Sequence, residues 1–282
     1  MYYTSMSRTD GFGAQFQNII IDIVYTYTAT ENTYLFPNIT GFEHNYTNEP
    51  DFTNRLVRYM NLKDHFSLKG SGANTADFRV KMYSLSNYAY FEENISRLLV
   101  SSPMKLIKSL FYADKNTCFD TAYYNVAVHV RRSNAHDTRV DGVDTPDDYY
   151  LQMMNYIRAN HRSDEKPLRF HIYSQCRDER GRNGFKEKYA GGGGGAGGGA
   201  GGGAGGGAGG GAGGGDVEFH LNGDVLLTFH GMVFADALVC SRSSYSYCAA
   251  LLSNGIIYYK PFWHKPADFW VNGDECVASL QK

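Results

Sequence analysis

The stretch that most constrains the fold is Tyr124-Asn125-Val126-Ala127-Val128-His129-Val130-Arg131-Arg132. A short, mostly apolar run without glycine or proline is the pattern of a strand buried on both faces, as in a parallel sheet. It ends in a histidine and two adjacent arginines, followed by small polar residues. In open α/β sheets ligands sit beyond the carboxyl ends of the strands. An arginine there can grip phosphate through two parallel charge-assisted bonds. The same two arginines could also be surface charges that close a strand, and the segment alone leaves both readings open.

The rest of the second half repeats the theme. Pro146-Asp147-Asp148 opens a helix to about Asn160, with proline and acids at its amino end. The pattern then predicts strand Arg169–Ser174, a variable segment, strand Val217–Leu221, helix Leu226–Phe234, strand Ala237–Cys240, helix Tyr245–Leu252 and strand Ile256–Tyr259. Strands alternating with single helices imply a parallel sheet with right-handed crossovers.

At the other end, a short strand over Tyr2 to Met6 precedes Gly11-Phe12-Gly13-Ala14-Gln15. A helix follows, with Phe16, Ile19, Ile20, Ile23, Val24 and Tyr27 on one stripe. Strand, glycine turn and helix form the opening of a Rossmann-like unit, although the third glycine of the dinucleotide fingerprint is missing. Gly11 and Gly13 therefore suit a plain tight turn as well as a ligand loop. Tyr34-Leu35-Phe36 predicts a second strand, Asp51 to Leu62 a helix, and Ser84 to Leu110 helical structure broken at Ser101-Ser102-Pro103. The spacing places a boundary near 112–121, giving units 1–115 and 116–282.

Residues 191–215 are 25 consecutive Gly and Ala, with Ala at every fourth place from 196 to 212. That period excludes collagen, and so glycine-rich a tract loses too much entropy on ordering to fold. It is expected to be a flexible insertion between a helix and the strand at Val217, without a chemical role.

Composition excludes several classes. A formal net charge of −2 offers no basic excess for a nucleic-acid partner. Five cysteines, an odd count without a CxxC, indicate neither a zinc site nor a disulfide framework. No run of 18 apolar residues occurs to span a membrane, and the first residues lack a basic, apolar leader, so a cytoplasmic location is expected.

Two strings carry a family resemblance. His129-Val130-Arg131-Arg132 resembles the H-x-R-R signature of fucosyltransferases of the α1,2, α1,6 and protein O-fucosyl groups. Downstream, Phe229-His230-Gly231-Met232-Val233-Phe234-Ala235-Asp236, followed by Ala237-Leu238-Val239-Cys240-Ser241-Arg242-Ser243-Ser244, is similar to their helix-strand-turn element. Gly11 to Gln15 looks like their first glycine turn. The resemblance covers roughly 121–260, and the unanchored form resembles bacterial and large algal-virus members.

The resemblance implies a GT-B architecture: an α/β fold of two Rossmann-like domains with parallel sheets facing across a cleft. It implies an inverting, metal-independent glycosyltransferase, with a nucleotide-sugar co-substrate and no resident cofactor. The absence of an Asp-x-Asp triplet agrees with the last point. GDP-fucose is the donor it suggests and a glycan hydroxyl the acceptor. The implied donor-binding residues are Gly11, Gly13, His129, Arg131, Arg132, Thr228, His230, Ser243, Ser244 and Tyr245, with Arg131 stabilising the leaving diphosphate. The implied base lies in the 133–145 loop: Asp141 first, then Asp137, with His136 and Asp144 in reserve. The chain departs from the family at Asn134, where the signature often continues to Asp, and at Thr228, where the α1,6 group has an acid gripping guanine. UDP-xylose or another sugar nucleotide is therefore an alternative donor. A non-catalytic glycan- or nucleotide-binding protein is the alternative of another class.

Overall fold

The computed structural model describes residues 2–6, 10–67, 85–132, 144–162, 166–176, 178–190 and 216–281. The chain alternates strands and helices as a parallel α/β protein. Strand β1 (Tyr2–Thr4) leads into helix α1 (Phe12–Ala29) and returns as β2 (Thr33–Leu35), parallel to β1 with Tyr3 opposite Tyr34. Helices follow: α2 (Phe52–Met60), α3 (Leu85–Glu93), α4 (Ile95–Leu98) and α5 (Ser102–Tyr112). Pro103 sits in the first turn of α5, where a missing N–H costs nothing. Among the described residues the first half thus holds one βαβ unit and a set of helices, a smaller sheet than a full Rossmann-like unit would carry.

The second half forms a six-stranded parallel sheet in the order β5-β4-β3-β6-β7-β8. Its strands are β3 (Tyr124–Val130), β4 (Leu168–Ser174), β5 (Val217–Leu221), β6 (Ala237–Val239), β7 (Ile256–Tyr259) and β8 (Val271–Asn272). The connecting helices are α6 (Asp147–Asn160), α7 (Glu179–Ala190), α8 (Val225–Phe234), α9 (Ser244–Leu252) and the terminal α10 (Gly273–Ser279). Among the described residues, side chains cap several helix starts, including α7, where Asp178 accepts from Gly181 N at 2.7 Å. Asp224 accepts from the Leu226 and Leu227 amides at 2.8 and 3.2 Å. Ser243 accepts from Tyr245 N at 3.2 Å, and Asn272 from Asp274 N at 3.0 Å. The short β8 and α10 carry too little periodicity to have been anticipated.

Both faces of this sheet are covered, which explains the continuous apolar β3. Val126, Val128, Val130, Phe170 and Ile172 face α6, α7 and α10 through Tyr150, Met153, Phe185 and Cys276. Ala127, Tyr173 and Leu238 face the other way, toward α8, α9 and α1. Helix α9 is buried almost throughout because it lies between the sheet and α1. The approach is close: a Cβ on Gly13 would stand 2.4 Å from Tyr245 Cα. Helix α5 closes the far end, where the Lys108 ammonium donates to Ser253 O at 2.7 Å and the Tyr112 hydroxyl to Leu252 O at 3.1 Å. Among the described residues no helix is long and apolar enough to cross a membrane.

Candidate functional site

Where β3 to β6 end at their carboxyl edges, a cavity of about 770 Å³ opens between the sheet and the amino-terminal half. Its position is the one parallel topology prescribes for a ligand. The carboxyl wall is built by strand ends: His129 to Arg132 after β3, Ser174 and Gln175 after β4, and the turns leading into α8 and α9. Asn222 holds the α8 turn in place. It takes a positive φ of 56° and clasps Cys176, accepting from its N–H at 2.8 Å and donating to its carbonyl at 2.9 Å.

The two arginines are used differently. Arg132 turns back to the sheet, forming an ion pair with Asp147 at the start of α6 and donating to Thr145 O at 3.3 Å. Asp147 also accepts from Lys188 and from the Tyr189 hydroxyl, each at 2.6 Å, so Arg132 belongs to a latch joining β3, α6 and α7. Arg131 stands at the strand's mouth in the cavity wall.

His129 is the dry foot of this wall. Its Nδ1 lies 2.8 Å from Ser241 Oγ, and its ring meets Tyr245 edge-on. Burial, with Arg131 adding repulsion, pushes its pKa down to about 3, so the ring is neutral at physiological pH. It is a spacer and hydrogen-bonding post for the arginine that follows.

Helices α1 and α9 present their amino ends to the cavity through Gly11 to Ala14 and Ser243 to Tyr245. Neither has an acid in its first turn, so the partial positive charge of both ends is uncompensated there. Two turn amides of α9 are already engaged: Ser243 N–H donates to Ser241 O at 2.8 Å, and Tyr245 N–H to Ser243 Oγ. Ser244, between them in the same turn, lines the cavity.

The opposite wall comes from the segment between β2 and α2, which sequence patterning did not single out, and from the first turn of α2. Glu43, His44, Tyr46, Glu49 and Arg55 line it. His44 adopts φ 74°, its ring lies against Gly11, and its Nδ1 is 2.7 Å from the Tyr46 hydroxyl. Arg55 grips both Glu49 oxygens, at 2.8 and 2.9 Å, and reaches Asp224 at 2.9 Å. Burial works against the Asp224 charge, but Arg55 and the two capped amides outweigh it and hold the carboxyl below its ordinary value. The Arg55–Asp224 pair ties the two walls at the cavity's rim.

Gly11, Gly13, His129, Arg131, Arg132, Thr228, Ser243, Ser244 and Tyr245 all line the cavity. His230 does not. Two residues beyond Thr228 on α8, it points to a different side of the helix. Its ring stacks on Phe234, with Nδ1 3.1 Å from the Tyr59 hydroxyl and Nε2 2.7 Å from Asn116 O. His230, expected among the donor-binding residues, is therefore placed at the seam with α2 and Asn116, outside the cavity lining. Gly13 also has a packing duty, the Tyr245 approach described above. Asp137, Asp141 and His136 lie outside the described residues.

No protein-family model matches this chain, and no curated protein matches it. Among solved structures it is similar to Arabidopsis thaliana FUT1, determined as a point mutant in complex with GDP. The identity is 11%, the TM-score 0.38, and the match covers 95% of this chain and 72% of that one.

Proposed function

We propose that the chain is a GT-B-type glycosyltransferase that moves a sugar from a nucleotide donor to a glycan hydroxyl, inverting the anomeric centre without a metal. The observation that carries this reading is the cavity. It lies beyond the carboxyl ends of a parallel sheet, where an H-x-R-R strand delivers Arg131 beside the amino ends of α1 and α9. Such a set of fixed donors suits a diphosphate leaving group. In this reading residues 116–282 hold the donor and residues 1–115 present the acceptor.

The acceptor oxygen attacks the anomeric carbon from the face opposite the departing diphosphate. The carbon–oxygen bond to phosphate breaks, Arg131 and the Ser244 amide take up the developing charge, and the acceptor proton passes to a base. The family resemblance assigns that base to Asp141, with Asp137 as second choice. GDP-fucose is the first donor to test. Thr228 in the cavity wall, in place of an acid for guanine, favours including UDP-sugars such as UDP-xylose.

The test is a donor panel read twice, by thermal shift and by donor hydrolysis without acceptor, on wild type and Asp141→Asn. One nucleotide sugar should raise Tm and be hydrolysed by wild type. Asp141→Asn should keep the shift and lose ~10²–10⁴ of turnover once an acceptor is supplied. Binding without any hydrolysis or transfer would replace the enzyme with a nucleotide-binding protein.

A further inference from the structure

A cluster of ligand-type side chains lies outside the cavity, at the edge of the same sheet. His171 of β4 and Glu218 of β5 are register partners, and His220 follows two places along β5, on the same face. One ligand atom from each of the three lies within 4.8 Å of the others. Ser174 and Asn222 line the cavity farther along the chain, three residues beyond His171 and two beyond His220, so the cluster stands about 7–10 Å from it.

The surroundings fix which atoms face inward. The Asn125 amide donates its Nδ2 protons to Asp120 O and Tyr123 O, at 3.0 and 3.1 Å, which turns Oδ1 toward His171. His171 Nε2 lies 3.0 Å from that oxygen and donates to it. The His171 lone pair is therefore on Nδ1, 3.1 Å from His220 Nε2 and 3.5 Å from Glu218 Oε2. A histidine oriented by an outer hydrogen-bond acceptor is the usual arrangement of a metal ligand. The His220 ring is held by stacking on Tyr173, with centroids 4.6 Å apart. Arg169 takes the other Glu218 oxygen at 3.2 Å, leaving Oε2 for the cluster.

Two imidazole nitrogens on one tetrahedral ion, each at ~2.05 Å, stand about 3.3 Å apart. The spacing here needs only a small adjustment to admit one. We propose that His171, His220 and Glu218 bind a single divalent ion of the zinc class, which fastens edge strand β5 to β4. Two histidines and one carboxylate suit zinc better than magnesium or calcium, which take oxygen-dominated sets. The half-buried His220 and exposed Glu218 leave a fourth position open to solvent. The ion has no part in the transfer chemistry, because the leaving group's donors lie at the strand ends.

The experiment uses the full chain, stripped with EDTA and dialysed, then titrated with Zn²⁺ against a chromogenic chelator and separately with Co²⁺. One equivalent should bind, with Co²⁺ giving visible d–d absorption. His171→Ala and His220→Ala should each weaken binding at least ~10-fold, and Glu218→Gln by a similar factor. His161→Ala, at the end of α6, should bind as wild type. Should His171→Ala fail to fold, the two β5 variants, whose sites are more exposed, carry the test with circular dichroism as the check. Failure of the wild type to take up Zn²⁺, or unchanged affinity in both β5 variants, would overturn the site and reduce the cluster to a His220–His171 hydrogen bond.

Discussion

The two walls of the cavity are made in different ways. The carboxyl wall is a row of strand ends fixed by sheet register, those of β5 and β6 followed by helices that a side chain caps. The amino wall is a loop and the first turn of α2, with groups placed by contacts with one another: His44 with Tyr46, Arg55 with Glu49. The first wall gathers arginines and helix amino ends. The second mixes acids, a histidine and one arginine already shared between two carboxylates. Rigid, cationic geometry suits a phosphate whose position must not vary, whereas an adaptable polar loop suits an acceptor.

The largest effect should come from the carboxyl wall. Arg131→Ala should lower turnover by ~10²–10³ while leaving circular dichroism unchanged, and Arg131→Lys should recover only part. Near-normal turnover in Arg131→Ala would remove the functional difference between the walls.

Next comes their contact. A methyl at Gly13 has Tyr245 Cα at 2.4 Å and Tyr245 N at 2.9 Å, both backbone atoms that cannot turn aside. Gly13→Ala should cost about 1–3 kcal/mol in urea unfolding. An unchanged midpoint would mean that the helix ends are not in contact.

The dryness of the carboxyl wall can be read from pH. His129 has a folded pKa of about 3 against an ordinary 6.5, so below pH 6.5 the unfolded chain takes up a proton that the folded one refuses. Its contribution is complete above pH 6.5 and declines as pH falls toward 3, by up to ~1.4 kcal/mol per unit. His129→Asn should therefore flatten the stability profile between pH 6.5 and 5. Parallel slopes in variant and wild type would show a wet His129.

The smallest effect is expected from the glycine–alanine tract. Asp216, just after it, is pinned by two bonds from Arg158 at 3.0 and 2.9 Å, and Tyr189, just before it, by Asp147. Halving the tract should leave kcat for a small acceptor within about twofold, since loop closure changes by only ~0.6 kcal/mol per halving. A larger fall would assign the tract, or what it carries, to the acceptor side.

The contrast between the walls also governed what could be read from the sequence. Strands β3 and β7 were visible as apolar runs and β5 as an alternating one, and Pro146 and the Ser-rich turn marked helix starts that the structure places next to the predicted bounds. The strand-end residues of the cavity followed from that order. The amino wall was invisible because Glu43 to Glu49 follow no periodicity, and Arg55 acquires meaning only when tertiary packing brings Asp224 to it. The position of His230 outside the cavity lining was hidden for a related reason: a motif shows neighbours in sequence, while helical phase sends alternate residues to different surroundings. The pairing of His171 with His220, 49 residues apart, depends wholly on strand order.

Helix α1 carries a consequence for how the chain is made. It leaves the ribosome well before α9, one of its principal partners. Ile19, Ile20, Ile21, Ile23 and Val24 are all nearly inaccessible in the finished molecule. Until α9 emerges that apolar surface lacks its final cover, and contacts so distant in sequence form slowly. Completion of the carboxyl-terminal sheet should therefore limit the folding rate, and nascent chains that end before α9 should be the forms most dependent on chaperones.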